Sequence, residues 1–105
     1  MAWLMLLVAG VFEVVWAVAM KQSDGFSRLW PSLVTVLGML VSFFLLAAAM
    51  RSIPLGTAYT IWTGIGAIGA FVVGITLLGE QVNIMRVIAA VLIVCGLVMM
   101  KMAAD

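Results

Sequence analysis

The sequence predicts an all-α membrane protein of four transmembrane helices, and three observations carry that expectation. Of its 105 residues 68% are apolar and 9% charged, with a mean hydropathy of +1.39. Soluble domains run at about 45–50% apolar and about 25% charged, and so small a chain cannot hide this much apolar surface from water. Second, four stretches are each long enough to cross about 30 Å of hydrocarbon, which takes roughly 20 residues. Third, most charges and several turn formers gather in three short connections between those stretches.

Taken in order, the first span runs from Ala2 to Met20 and ends at Lys21–Leu29, a connection that holds Asp24, Gly25 and Arg28. The second runs from Trp30 to Met50 and is followed by Arg51–Ile53. The third starts at Pro54 and ends near Leu78, before Gly79–Asn83. The fourth covers about Ile84 to Met100. Each reads as a helix because backbone polar groups in lipid must be satisfied within the segment. The short alternating strands of a membrane barrel are missing from the pattern. Ala17-Val18-Ala19 has the look of a signal-peptide cleavage site, but the first stretch lacks a basic lead-in and carries Glu13 inside its apolar run, so it is expected to stay as a helix. With connections this short, residues 1–105 form one four-helix unit.

Composition also excludes several function classes. Five basic and four acidic residues give a net charge of +1, leaving no basic field for nucleic acid. One cysteine and no histidine remove disulfides within the chain, zinc clusters and the usual general base. No enzyme chemistry, metal or cofactor is expected. Basic residues near span ends set orientation; here Lys21, Arg28 and Arg86 fall on one side against Arg51 and Lys101 on the other. Two readings stand: one residue of bias decides the insertion, or the chain inserts both ways. In the second case two copies would supply the inverted halves that transporters commonly rock around a midplane site.

Glu13 is the only acidic residue deep inside any span, roughly 16 Å in from Ala2 and so near the bilayer centre. An ionised carboxylate costs a few kcal/mol there even on the mildest scales, and no basic residue lies at similar depth to pair with it. Such a group can hold a proton while the site is empty and surrender it to an arriving cation. Gly10 and Trp16 lie three residues to either side on the same helix face. Tyr59, Trp62 and Thr63 form a stripe on the third span, with Trp62 roughly 12 Å past Pro54; Ser42 is roughly 18 Å past Trp30, with Met39 on its face. Aromatic faces attract cations, and Ser42 or Tyr59 can hydrogen-bond a carboxylate. Bland readings stand beside these: the indoles as packing, Tyr59 as an interface residue, Ser42 bonded to its own i−4 carbonyl. Gly64 and Gly66 weaken the third helix beyond Trp62, as a bending point or for close packing; Gly66, Ala70 and Gly74 follow the small-xxx-small spacing. Trp3 and Trp30 read as interface residues. Cys95 reads as a small buried apolar residue.

These residues resemble the small multidrug resistance transporters, within them the guanidinium-exporter subtype, over essentially the whole chain. The motifs are Gly10-Val-Phe-Glu13-Val-Val-Trp16-Ala17, then Lys21-Gln-Ser-Asp-Gly25-Phe26, then Ile53-Pro54-Leu-Gly56-Thr-Ala58-Tyr59-Thr-Ile-Trp62-Thr63-Gly64-Ile-Gly66, closed by Gly79-Glu80. Trp16-Ala17 marks the subtype, since the polyaromatic drug exporters typically have Gly-Thr there. The resemblance implies an antiparallel, dual-topology homodimer in the bacterial inner membrane that exchanges protons for small cations by alternating access. It implies that paired Glu13 side chains take protons or substrate, with Trp16, Ser42, Tyr59 and Trp62 as binding-site residues, Met39 and Phe43 at a lateral opening, and Ala89, Leu92, Ile93, Gly96 and Leu97 as a dimerisation segment. Ala89 and Leu97 replace the Gly and Val of some relatives. The expected function is proton-coupled export of guanidinium-type cations. Efflux of quaternary ammonium antiseptics is the alternative, and a small accessory or pore-forming membrane subunit is the rival from another class.

Overall fold

Four α-helices run α1 (Ala2–Gln22), α2 (Leu29–Ala49), α3 (Leu55–Thr76) and α4 (Ile84–Ala104) in a computed structural model that describes residues 1–104. Each helix is long and apolar enough to cross a membrane. The ends differ from the sequence expectation for local reasons. α1 continues past Met20 to Gln22, where Ser23 turns the chain. α2 starts one residue before Trp30 and stops one before Met50. Pro54 sits outside α3 as its N-cap, a place that suits a residue with no N–H to give. α3 ends at Thr76 rather than Leu78, since the reversal needs Gly79 at φ 69° and sends the Glu80 N–H back to the Gly74 carbonyl at 3.0 Å. α4 runs on past Met100 to Ala104, and its first turn is capped by Asn83 Oδ1 accepting the Arg86 N–H at 2.9 Å.

The first connection contains a run of left-handed backbone: Asp24 at φ 51°, Gly25 at 71° and Phe26 at 66°. For Asp24 and Phe26 this conformation costs on the order of 1–2 kcal/mol each. Ser23 offsets that cost. Fully buried, its hydroxyl donates to the Met20 carbonyl at 2.6 Å and accepts the Phe26 N–H at 3.0 Å.

The Cα trace spans 42 × 34 × 17 Å. The short dimension makes the chain a slab, and helices of 21 or 22 residues, about 32 Å long, suffice for the hydrocarbon of a bilayer. α1 is the central helix, packed against both α2 and α3; α2 and α3 meet only sparsely, and the backbone of α4 comes close to α3 alone. The buried core is therefore small, built from Leu6, Ala9, Leu46, Ala49, Ile53, Ala58, Ile61 and Trp62, and α4 has no buried residue.

In lipid the hydrophobic effect does not drive one helix onto another, so close fit has to. Glycines provide it by notching the neighbours of α1. A Cβ at Gly69 would meet the side chain of Val14, and a Cβ at Gly38 would stand 3.0 Å from Trp16 Cβ. Gly69→Ala is therefore expected to weaken the α1–α3 contact by about 1–3 kcal/mol, the usual cost of overpacking. Adding Val14→Ala should restore most of the loss, whereas Gly56→Ala, with nothing within 4 Å of its added Cβ, should show none of it. Reversible denaturation of the purified chain in mixed micelles measures all three.

Candidate functional site

The site is built where α1, α2 and α3 meet at mid-depth. α1 contributes Glu13 and Trp16, one helical turn apart. α2 contributes Ser42 and Phe43, and α3 contributes Trp62 and Tyr59. Ser42, fully buried, ties all three helices: its Oγ donates to the Ala9 carbonyl of α1 at 2.7 Å and accepts Nε1–H of Trp62 at 2.9 Å. The reading in which Ser42 bonds its own helix is thereby corrected; Thr35, two turns earlier on α2, does bond its i−4 carbonyl, that of Pro31, at 2.7 Å. Of the two hydroxyls that could bond the carboxylate, Ser42 and Tyr59, Ser42 is engaged elsewhere. A hydroxyl has one proton, and this one is given to Ala9.

Around that node the aromatic rings form a chain. Trp16 meets Phe43 edge-on with centroids 6.3 Å apart, Phe43 meets Trp62 at 5.7 Å, and Trp62 meets Tyr59 at 5.6 Å. Phe43 is half exposed, so the chain reaches from the buried Trp62 to the surface of the slab. Such rings offer a cation several π faces in a low-dielectric setting.

Glu13 lies against α3 where that helix has no side chain. A Cβ at Gly66 would overlap the Glu13 carboxylate itself, so the glycine makes the space the carboxylate occupies. Two buried polar atoms here have no hydrogen-bond partner, Glu13 Oε1 and Trp16 Nε1. Buried polar groups are nearly always satisfied, and exceptions concentrate where a ligand, a water or another chain completes the set. An acceptor and a donor one turn apart, both unsatisfied, make an incomplete site. Among the described residues no three His, Cys, Asp or Glu side chains come together, so the donor set does not suit a metal ion.

The other residues singled out by sequence divide in two. Gly10 is buried against Ile65, a packing role next to the site. Gly64 faces Leu97 of α4 in the same way, and α3 runs unbroken from Leu55 to Thr76 across Gly64 and Gly66. Thr63 and Tyr59 line a separate apolar cavity of ≈ 790 Å³ between α3 and α4, with Ile93, Gly96 and Leu97 across from them. Met39 is half-buried on α2. Ala89, Leu92 and Ile93 are exposed along α4, and nothing stands within 4 Å of a Cβ placed at Gly96. Cys95 is exposed rather than buried, because the backbone of α4 comes close to α3 alone.

Sequence reasoning missed three features. Ser23 holds the first turn, as described above. Lys101 near the end of α4 lies over the ring of Trp3, 4.5 Å from its centroid. Arg86 bonds the Gln81 carbonyl at 2.6 Å and stands 3.6 Å from Glu80, bracing the α3–α4 connection. The first had a legible signal, since Ser before Asp-Gly is a turn former. The other two depend on contacts between residues distant in space or side-chain reach, which local pattern does not carry.

Replacing Ser42 with Ala should cost about 1–3 kcal/mol of stability, because Trp62 Nε1 loses its acceptor in a buried place. Thr35→Val should cost less, since its hydroxyl serves only its own helix. Unfolding of the two variants side by side checks the order.

The sequence profile described as Small Multidrug Resistance protein matches residues 1–104. A guanidinium exporter of Escherichia coli (strain K12) is 55% identical over 103 residues, covering 98% of each chain. A guanidinium exporter of Yersinia pseudotuberculosis is 51% identical over 104 residues, covering 99% of this chain and all of its own, and one of Salmonella typhimurium is 52% identical over 104 residues.

Proposed function

The chain belongs to the small multidrug resistance family, and from that membership we propose that it is a multi-pass membrane transporter exporting guanidinium-type cations in exchange for protons. One observation carries the reading: the only acidic side chain within the four spans, Glu13, is partly buried with an unsatisfied oxygen, one turn from an unsatisfied indole N–H and beside a chain of aromatic rings. Guanidinium is planar and cationic near neutral pH, and its paired N–H donors fit a carboxylate two at a time. The relatives named guanidinium exporters support that choice of cation.

The mechanism is competition. Glu13 in hydrocarbon is held neutral by a proton or by a cation, so arrival of one releases the other. Ser42 fixes the level of Trp62, and Trp62 fixes Tyr59, so the ring chain stays in register beside the carboxylate. Trp16 stands on the same face of α1, where its bulk narrows the space for a head group. Phe43, half exposed, and Met39, half-buried on α2, leave a lateral way for an alkyl tail.

A slab with one carboxylate encloses no pathway. We infer that two copies, inserted in opposite senses as the nearly balanced basic residues permit, face each other across their Glu13 sides. The open face of α4 at Ala89, Leu92, Ile93 and Gly96 holds them together. Alternating access is then the exchange of the two copies between equivalent arrangements, with α3 bending near Gly64 and Gly66. The setting is the inner membrane of a bacterium.

Purified protein in liposomes should give a transport current on addition of guanidinium, and Glu13→Gln should abolish it while keeping the helical content. A current with a quaternary ammonium ion but none with guanidinium would favour the antiseptic-efflux reading. No current with either cation from folded protein would favour an accessory subunit. Competition also fixes a sign: guanidinium affinity falls as pH falls, because a protonated carboxyl pairs with no cation, and calorimetric titration at several pH values measures it. An affinity independent of pH through the titration of Glu13 would contradict the mechanism.

A further inference from the structure

The seam between α1 and α3 is closed by three notches, each cut by a glycine. A Cβ at Gly10 would meet the side chain of Ile65, one at Gly69 that of Val14, and one at Gly66 the carboxyl of Glu13. The outer two notches hold branched apolar side chains and set how far apart the helices stand, so the middle one has a fixed size. It receives one carboxyl oxygen. Oε1 is buried there without a hydrogen-bond partner, whereas Oε2 is accessible.

A closed notch with no donor suits a neutral carboxyl, because an ionised oxygen left there loses its solvation and gains no partner. It does not suit a bound guanidinium. Two parallel N–H···O bonds need both carboxylate oxygens turned toward the cation, and in the notch one of them is turned into α3. We propose that Glu13 works from two positions: protonated with Oε1 in the Gly66 notch, and cation-bound with the carboxylate rotated out so that both oxygens face the guanidinium. The carboxyl proton passes to water as the cation arrives. Gly66 is then a positioning residue for the exchange, acting through the space it leaves. Resting on the competition of proton and cation at Glu13, this gives each half of the exchange its own carboxyl position.

The test is magic-angle-spinning NMR of the full chain in liposomes, isotope-labelled at glutamate Cδ and glycine Cα. Each of the chain's two glutamates lies against a glycine: Glu13 at Gly66, and Glu80 at Gly74, where an added Cβ would stand 2.8 Å from the Glu80 carboxyl carbon. Both cross-peaks should be present without guanidinium. At saturation the Glu13–Gly66 cross-peak should lose most of its intensity, and the Glu80–Gly74 cross-peak, an internal reference, should keep its own. Persistence of the first at saturating guanidinium would overturn the proposal. Calorimetric titration of the same sample separates the two ways of failing. No guanidinium binding refutes the competition at Glu13 and this inference with it, whereas binding with an unmoved carboxyl refutes only the two positions. Gly66→Ala fills the notch and leaves only the outward position, so guanidinium should bind about three- to ten-fold more tightly, the gain expected when a competing conformer is removed. The maximal transport current should fall, since a proton displaces the cation less readily. Damage to packing does not tighten binding, and Gly69→Ala, overpacked against Val14 on the same seam, should show no such gain. Unchanged or weaker binding by folded Gly66→Ala would also overturn the proposal.

Discussion

A carboxylate in hydrocarbon with no basic partner is the constraint around which this chain is arranged. Its ionised form costs a few kcal/mol at that depth, and the surroundings do not relieve the cost with a cation or a hydrogen bond to Oε1. They instead give the group a fixed seat. Gly66 opens the space on α3, α1 is clamped between two helices, and the neighbouring donor, Trp16 Nε1, is itself left unsatisfied. The chain keeps an acid there and leaves it incomplete.

The rest of the fold follows from making that seat rigid in a solvent that contributes no attraction between helices. Small residues let α1 approach its neighbours, and one hydroxyl joins three helices through two bonds of 2.7 and 2.9 Å. The node at Ser42 is remote from Oε1 in bonding terms, yet it sets the height of Trp62 and through it the ring chain. α4 stands at the edge, its backbone close to α3 alone. Three helices carry the cluster around Glu13, and the fourth is left without a buried residue.

Much of this was legible in the sequence, and the limits have physical causes. The four helices follow from hydropathy and length, because lipid permits few other solutions. Glu13 follows from its depth, since a single acid in an apolar run is conspicuous. The pairing of Ser42 with Ala9 and Trp62 was not legible: helical spacing gives a residue's face and depth but not which of several acceptors its one proton meets. The ends of α1 and α3 moved by two residues each because turn chemistry at Ser23 and Gly79, rather than hydropathy, decides where those helices stop. Gly66 was read as a bending point or as packing, and the structure adds that its missing side chain is the space of the carboxylate. That relation crosses two helices and leaves no mark in the spacing of either.

The central claim is that cation and proton occupy the same carboxylate in turn. The most direct measurement is proton release: weakly buffered, purified protein is mixed with guanidinium at a pH where Glu13 is largely protonated, and the pH change is recorded. Competition predicts acidification that saturates with guanidinium binding and is absent in Glu13→Gln. Guanidinium binding to the native protein without release of protons would contradict it.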